Sequence, residues 1–309
     1  MTGLAGRLDI APEVARALAD HVPVVALEST LISHGLPYPV NLDVARAAGA
    51  AVRSAGAVPA TIAIHDGRIL VGLSDAALLA LATAPAGAVQ KAARPSLAAA
   101  LQRSGWAATT VSATMIAAHE AGIRVFATGG IGGVHLAATS GTTWDVSSDL
   151  EELARTPVAV VCAGPKAILD VAATLEVLET RGVPVVAIGQ PDTPGFFARG
   201  SGHRAPLSVP DEAAAAALVA THLGLGLGGG ILVCVPVPEG DALPEATVRD
   251  AVTRSIADAD AQGIAGPELT PWLLARIGEL TDGASIRANT SLIANNAAVA
   301  ARLAVALAA

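Results

Sequence analysis

The fold class of this chain is decided by the stretch VAVVCAGPK, which spans residues 158–166. Its first six residues are apolar and rich in β-branched side chains, a pattern typical of a buried strand, and Gly164-Pro165 then turns the chain. Residues 167–180 carry apolar side chains at helical spacing, so we expect a helix to begin close to Lys166. A buried strand that leads directly into a helix is typical of an α/β protein.

The same alternation of short apolar runs and alanine-rich helical segments extends over the rest of the chain. It predicts a three-layer α/β/α fold with a central, mostly parallel sheet. The turn His65-Asp66-Gly67-Arg68 is typical of a hairpin, so the sheet should be mixed. Because no linker, charge block or repeat interrupts the pattern, we expect a single domain over residues 1–309. The predicted strands are 22–27, 61–64, 69–72, 124–127, 158–162, 185–188 and 231–235. The predicted helices lie near 167–180, 211–223, 244–261, 267–280 and 285–308, with others from Asp43, Asp75 and Pro95.

Composition excludes several classes of protein. The formal net charge of −8 leaves no broad basic surface, so we expect no general nucleic-acid binding. The two cysteines, Cys162 and Cys234, lie in apolar runs where free thiols are usually buried, which favours a reducing, cytoplasmic location. The uncharged stretch 222–238 is broken by glycines and prolines, so we expect no membrane span there.

Lysine usage points to chemistry. Only two of the 19 Lys and Arg residues are lysines, Lys91 and Lys166. Each could be an ordinary surface cation. However, Lys166 is predicted at the carboxyl end of a strand and the start of a helix, where open α/β sheets form their sites. A helix N-terminus disfavours an ammonium ion, which would leave the amine free to act as a nucleophile.

Two glycine-rich segments require interpretation. Gly224, Gly226 and Gly229 match the spacing of a dinucleotide-binding loop, but this segment follows a predicted helix and precedes a strand, the reverse of the required order. We therefore expect a plain loop there. The segment GGIGGVH, residues 129–135, leaves a predicted strand and could turn backbone N–H groups towards an anion. Close backbone packing explains it equally well.

Several motifs, in order, resemble one family, the pseudouridine-5′-phosphate glycosidases, also called indigoidine synthase A-like proteins. These motifs are ALESTLISHGLPYP around Glu28, GAVPATIAIHDGRILVGL, ATTVSATMIAAHEAGIRVFATGGIGGVH, TWDVSSDL, CAGPKAILD around Lys166, and PELTPWLLARIGELTDGASIRANTSLIANN. The resemblance covers nearly the whole chain. It implies reversible cleavage of pseudouridine 5′-phosphate to uracil and ribose 5-phosphate in a homotrimeric enzyme.

The resemblance also implies roles for particular residues. Lys166 matches the lysine that forms a covalent adduct with C1′ of ribose, and Glu28 matches the proton donor. Asp145 matches the ligand of a divalent cation, usually Mn²⁺. The substrate-binding positions implied are Lys91, Val111, Ser147, Ser148, Asp149 and Asn289, and Asp149 is also a candidate catalytic carboxylate. Read without the family, Glu28 and Asp149 are more simply explained as helix or turn caps. Asp145 is a single carboxylate with no His or Cys at ligand spacing, so the residues alone do not indicate a metal site. The cation that the resemblance implies would be weakly held, by one carboxylate and water.

The chemistry explains why a lysine is needed. Pseudouridine joins ribose to uracil through carbon, and carbon offers no lone pair to protonate. An amine bonded to C1′ can become an imine as the C–C bond breaks, because its nitrogen lone pair replaces the bond that C1′ loses. Two alternatives stay open: action on another phosphorylated C-glycoside or in indigoidine-type pigment biosynthesis, and a non-catalytic nucleotide-binding role. The chain departs from the expected pattern at residues 92–96, Pro165 and Leu136, all close to the predicted site.

Overall fold

The computed structural model describes residues 3–85, 87–136, 145–264, 266 and 269–308. Thr143 and Trp144 of the TWDVSSDL motif, and Pro267 with Glu268 of the last motif, lie outside the described residues. The strands are β1 Leu8–Ile10, β2 Val24–Leu27, β3 Val58–His65, β4 Arg68–Val71, β5 Gln90–Ala92, β6 Trp106–Thr109, β7 Val125–Ala127, β8 Val134–His135, β9 Ala159–Cys162, β10 Leu169–Asp170, β11 Val185–Ile188, β12 Leu207–Val209 and β13 Ile231–Cys234.

Helices connect and cover these strands. They are α1 Pro12–Ala19, α2 Thr30–His34, α3 Val40–Ser54, α4 Asp75–Ala82, α5 Leu97–Ala100, α6 Val111–Glu120, α7 Ser148–Leu153, α8 Val171–Thr180, α9 Glu212–Gly224, α10 Glu245–Gln262, α11 Leu269–Leu280 and α12 Ala284–Ala308. Short 3-10 segments cover Leu4–Arg7, Arg94–Ser96 and Glu239–Asp241.

Eleven strands form one mixed sheet, with a main path in the order β1-β4-β3-β2-β7-β9-β13-β11-β12. Most neighbours pair in parallel, whereas β3 pairs antiparallel with both β4 and β6. The chain passes from β2 to β3, its neighbour on one side, and the next strand of this sheet after β7 is β9, its neighbour on the other side. The gap between the carboxyl ends of β2 and β7 is therefore a topological switch point, where open α/β sheets place their ligands.

The three-layer prediction is confirmed by the two cores on opposite faces of the sheet. Along β9, Ala159 and Val161 pack into one core, while Val160 and Cys162 pack into the other, as alternation along a strand requires. The first core includes side chains from α3, α9, α10, α11 and α12, and the second includes side chains from α1, α6, α7 and α8. A third cluster around Ile32 and Leu81 covers the antiparallel part of the sheet.

The hairpin prediction is also confirmed. Asp66 and Gly67 both have positive φ, 46° and 74°, and join β3 to β4 as in a two-residue turn that matches strand twist. Six strands of two to four residues were missed, β1, β5, β6, β8, β10 and β12. Their short runs carry too few residues for a period-two pattern to emerge.

Helix α12 confirms the prediction of a helix at residues 285–308. On length and composition alone α12 could cross a membrane, although half of its most apolar stretch is buried inside the protein. It packs against α3, α9 and the strands β2, β7 and β9.

Cys162 and Cys234 are free, buried and directly opposite each other on β9 and β13, as expected for reduced thiols.

Tight packing at Gly230 gives a test of the core. A Cβ atom there would lie 2.5 Å from the carbonyl oxygen of Val158 and 2.8 Å from that of Thr156. We expect Gly230→Ala to lower the free energy of unfolding by about 1–3 kcal/mol, because backbone must move to admit the methyl group. Urea denaturation measures the change.

The matched control is Gly49→Ala in helix α3, where the new Cβ would meet only Pro59 at 3.9 Å. This variant should be more stable than the parent by up to about 1 kcal/mol, because alanine is the better helix former. Equal destabilisation by both substitutions would contradict the packing at Gly230.

Candidate functional site

The candidate site lies at the switch point, where three neighbouring parallel strands end. Glu28 directly follows β2, Thr128 directly follows β7, and Lys166 comes four residues after the end of β9. Because β2, β7 and β9 are paired in register, their carboxyl ends lie side by side. This places residues from distant parts of the sequence in one cleft.

Lys166 lies in a turn and not at a helix start. The helix predicted from Ala167 begins at Val171, with Asp170 as its N-cap. The intervening residues form the short strand β10, which pairs with β8. The helix-dipole argument for a neutral Lys166 amine is therefore wrong. The backbone of Lys166 is instead fixed by its N–H, which donates to the carbonyl oxygen of Ile131 at 3.1 Å, and the side chain is half-buried.

Glu28 is a buried carboxyl group, with 8% of its surface exposed. The hydroxyl of Thr128 donates to its Oε1 atom. Burial raises the pKa of Glu28 above its usual value, because a desolvated carboxylate is disfavoured. The positive charge of Lys166 and the Thr128 hydrogen bond act in the opposite direction. A carboxyl group in this setting can hold a proton closer to neutral pH and release it to a neighbour.

Lys91 faces the same cleft from strand β5. Its side chain is reached by solvent, yet protein atoms crowd it on several sides. This partial desolvation lowers the pKa of Lys91, and the positive charge of Lys166 lowers it further. Glu28 and Asp149 oppose the shift through their negative charges. Two lysines and two carboxyl groups therefore influence one another across the cleft.

Asp149 ties three chain segments together. Its Oδ1 atom accepts from the N–H of Ser112 at 3.0 Å, and Oδ2 accepts from the N–H of Gly132 at 2.9 Å. The capping interpretation of Asp149 is wrong, because the N-cap of α7 is Ser147, whose hydroxyl accepts from the N–H of Asp149 at 3.2 Å. Asp149 thus holds the starts of α6 and α7 against the glycine-rich segment of residues 129–135, the glycine loop.

Two adjoining chambers make up the cleft. The first, the polar chamber, has a volume of about 190 Å³, and the second, the apolar chamber, of about 80 Å³. Both are lined by Glu28, Thr30, Lys91, Lys166 and Thr270. The polar chamber adds Ala93, Thr110, Val111, Gly132, His135, Ser147, Ser148, Asp149, Ile168 and Leu169. The apolar chamber adds Leu31, His34, Gly35, Thr128, Gly129, Gly130, Phe196, Pro271, Leu274, Asn289 and Ile293.

Nearly all of the predicted site residues therefore meet at one place. Val111 is buried at the first turn of α6, and Asn289 enters from α12. Asp145 is the exception, since it lines neither chamber. It is exposed, and its carbonyl oxygen accepts from the N–H of His135 at 3.0 Å.

The metal prediction has limited support in the geometry. Within the part of the chain that the structure describes, no group of three or more His, Cys, Asp or Glu side chains is placed to hold a metal ion. A single exposed carboxylate fits a hard cation that keeps most of its water ligands, and does not fit a fully enclosed site. The role of Asp145 stays a prediction.

The glycine loop favours the close-packing interpretation over an anion cradle. The N–H of Ile131 donates to Gly164 and that of Gly132 to Asp149, so these groups are occupied within the protein. A Cβ atom on Gly130 would lie 2.5 Å from the ring of Phe196, and one on Gly132 would lie 2.3 Å from the hydroxyl of Ser147. Glycine is required because neighbouring segments approach the backbone closely.

Sequence reasoning missed several lining residues. Thr128 follows β7 directly, so the rule that sites form at strand carboxyl ends could have identified it. Thr30, Thr270 and Phe196 carried no comparable signal. Phe196 has a φ of 63°, which is unusual for a bulky residue, and its ring lies against Gly130.

Leu136 and Pro165, two departures from the family pattern, line a separate surface groove of about 420 Å³.

The loop that departs from the family pattern is anchored by an ion pair. Arg94 makes a two-point contact with Glu152 on α7, which is completely buried and also accepts from Thr156. The N–H of Arg94 donates to Ser112 at 3.1 Å. The loop after Lys91 is thereby fixed to the same two helices that Asp149 joins.

Arg94→Met should lower the free energy of unfolding by about 2–3 kcal/mol, because it leaves the buried Glu152 carboxylate without its cationic partner. The matched control is Arg53→Met, which removes the exposed pair with Glu13 and should cost about 1 kcal/mol or less. Chemical denaturation of both variants tests this. Similar losses for the two would mean that Glu152 does not depend on Arg94.

Comparisons with known proteins identify the family. The family model for indigoidine synthase A-like proteins matches residues 13–306. The pseudouridine-5′-phosphate glycosidase of Paracoccus denitrificans is 56% identical over 299 residues, which are 97% of this chain and 98% of that protein. The enzyme of the same name from Caldanaerobacter subterraneus is 51% identical, over 97% of this chain and 96% of that protein.

Solved structures confirm the α/β fold. The crystal structure of the prealnumycin C-glycosynthase AlnA in complex with ribulose 5-phosphate has a TM-score of 0.88 and 37% identity, covering 97% of each chain. An indigoidine synthase A-like protein from Thermotoga maritima has a TM-score of 0.86 and 31% identity, over 98% of this chain and 97% of that one. As its motifs predicted, the chain belongs to the indigoidine synthase A-like family.

Proposed function

We propose that this protein is an enzyme that reversibly cleaves pseudouridine 5′-phosphate to uracil and ribose 5-phosphate. The observation that carries the proposal is the cleft in which Glu28, Lys91 and Lys166 line both chambers, with Asp149 in one of them. Relatives that bear the name pseudouridine-5′-phosphate glycosidase match over nearly the whole chain and support the substrate.

The two chambers differ in what they can bind. Serine and threonine hydroxyls and the N-terminal turn of α6 line the polar chamber, which suits the ribose phosphate. Leu31, Phe196 and Ile293 line the apolar chamber, which suits a flat pyrimidine ring, and the Asn289 amide can pair with its polar edge. The bond between sugar and base would then lie at the junction, beside Lys166.

The reaction can be followed atom by atom. Glu28 gives its proton to the ring oxygen of the ribose as the bond between that oxygen and C1′ breaks, and the Lys166 amine bonds to C1′. The bonded nitrogen, now positively charged, returns a proton to the Glu28 carboxylate and regains its lone pair. That lone pair forms a protonated imine as the bond from C1′ to uracil C5 breaks, and C5 takes the proton held by Glu28. Water hydrolyses the imine, which releases ribose 5-phosphate, and the Lys166 ammonium gives a proton back to Glu28. The raised pKa of Glu28 supports its role as the acid.

A second candidate is action on a different C-glycoside. It is favoured by the fold shared with the prealnumycin C-glycosynthase that was crystallised with ribulose 5-phosphate. Identity to that protein is 37%, against 56% for the Paracoccus denitrificans glycosidase. The products distinguish the two, because only the first substrate yields uracil.

Lys166→Ala should abolish uracil release and covalent labelling when the protein is incubated with pseudouridine 5′-phosphate and borohydride. In the parent, reduction should leave a pentose phosphate on Lys166, detected by intact-protein and peptide mass spectrometry.

Lys91→Ala is the matched control, because Lys91 lines the same two chambers. It should weaken substrate binding while the label on Lys166 persists. A label on Lys91, or uracil release by Lys166→Ala, would exclude the lysine assignment. Absence of uracil release from the parent would favour the second candidate or a binding role.

We also propose that Asp145 contributes one ligand to a bound Mn²⁺, a cation that would favour negative charge on a nearby substrate phosphate. Asp145→Asn should weaken Mn²⁺ binding by about tenfold or more. Electron paramagnetic resonance of free Mn²⁺ measures this without an activity assay. Asp43→Asn, at an exposed carboxylate on α3, should leave the affinity unchanged. Equal affinity in all three proteins would exclude Asp145 as a ligand.

Assembly as a homotrimer and a cytoplasmic location are further parts of the proposal. The homotrimer rests on the family resemblance, and the cytoplasmic location rests on the two cysteines in apolar runs. Sedimentation analysis of the purified protein determines the first.

A further inference from the structure

Asn296 lies on α12 and is completely buried, although it lines neither chamber. Its Nδ2 group donates to the carbonyl oxygen of Thr128 at 2.9 Å and to that of Gly129 at 3.3 Å. Two carbonyl acceptors fix the orientation of the amide, since only the nitrogen end can donate. The side chain therefore binds the backbone at the end of strand β7 through two hydrogen bonds.

The other end of the same amide has no partner. Among the described residues, Oδ1 of Asn296 is one of two buried side-chain oxygen or nitrogen atoms without a hydrogen bond, the other being Oγ1 of Thr193. An unpaired buried carbonyl oxygen costs free energy, and an apolar side chain would avoid that cost. An asparagine is explained here because its Nδ2 group holds the backbone of Thr128 and Gly129 in place.

The backbone that Asn296 binds belongs to Thr128 and Gly129, and Thr128 contacts Glu28. Thr128 donates its hydroxyl to Oε1 of Glu28, so its backbone position sets where that donor points. The next residue, Gly129, leaves only 3.2 Å between an added Cβ atom and Ile293 of α12, and its carbonyl oxygen also accepts from the N–H of Ala163. The turn is thus held from α12 on one side and from β9 on the other.

We propose that Asn296 is a positioning residue, which acts through Thr128 to hold the Glu28 carboxyl group in its working orientation. This inference rests on the proposed function, in which Glu28 is the proton donor. Asn296 itself touches no reacting atom. It links the long helix α12 to the acid at the switch point.

Other groups around Glu28 also influence its titration. Lys91 on β5, Asp149 on α7 and Lys166 after β9 act on it through their charges. His34 on α2 lines the apolar chamber and His135 on β8 the polar one. Substitutions at Thr128 and Asn296 leave all five side chains in place. A change in the pKa of Glu28 can therefore be assigned to the link, the contacts that run from Asn296 through Thr128 to Glu28.

The experiment compares Thr128→Val, Thr128→Ser, Asn296→Leu and the double variant Asn296→Leu/Thr128→Val. The control is Asn295→Leu, which removes a neighbouring amide on the same helix that donates to Pro236 at 3.4 Å. Two readouts are taken: kcat and KM for uracil release across pH, and titration of the Glu28 carboxyl carbon by ¹³C NMR in the free protein. Glu28→Gln assigns the signal.

Thr128→Val should raise the pKa of Glu28, because the ionised form loses a donor, and should lower kcat by about 10- to 100-fold with KM changed less than about threefold. Thr128→Ser should restore both values. Asn296→Leu should shift the pKa and kcat in the same direction. The double variant should be no worse than Thr128→Val, because the two residues act in series. Asn295→Leu should match the parent.

A measurement on the parent needs no change at Asn296. The side-chain amide signal of Asn296 should shift with pH along the Glu28 titration curve and should cease to do so in Thr128→Val. An unchanged Glu28 titration in folded Asn296→Leu, additive losses in the double variant, or an Asn296 signal that ignores Glu28 would overturn the inference. If the parent releases no uracil, the proposed function fails, while the NMR titrations still decide the link.

Discussion

Parallel pairing of β2, β7 and β9 is the constraint on which the site depends. The register of these three strands brings their carboxyl ends together, so that Glu28, Thr128 and the turn carrying Lys166 become neighbours. The strands are buried on both faces and packed between two helical layers. Their rigidity allows the turns beyond them to be irregular, because the endpoints of each turn are fixed.

The ionisable groups of the cleft are subject to opposing influences on their pKa values. Glu28 is buried, so its neutral form is favoured, yet Lys166 and Thr128 both favour its charge. Crowding and its like-charged neighbour lower the pKa of Lys91. Opposed influences of this kind are typical of sites that carry out general acid–base chemistry. The Arg94–Glu152 pair shows the contrasting arrangement, in which a buried charge is fully partnered and serves to anchor a loop.

The sequence predicted the layers of the fold and four charged residues that line the cleft. Long apolar runs such as residues 158–162 identified the central strands, and Glu28, Lys91, Asp149 and Lys166 were identified through motifs. The start of helix α8 was misplaced because Ala167 and Ile168 have helical spacing, whereas pairing of β10 with β8 takes precedence. Asn296 was missed because its role arises from a contact with Thr128, 168 positions away in the chain, which no local pattern encodes.

The shared wall between the two chambers has a consequence for the direction of the reaction. Five side chains, Glu28, Thr30, Lys91, Lys166 and Thr270, face both chambers. A molecule cut at their junction leaves two fragments that still contact the same five groups, each in a space suited to its polarity. The bond can therefore re-form from the arrangement in which it broke, without either fragment turning over. A cleft built in this way can catalyse both directions, and the equilibrium constant together with the concentrations of the joined molecule and of its two fragments decides whether it joins or separates them.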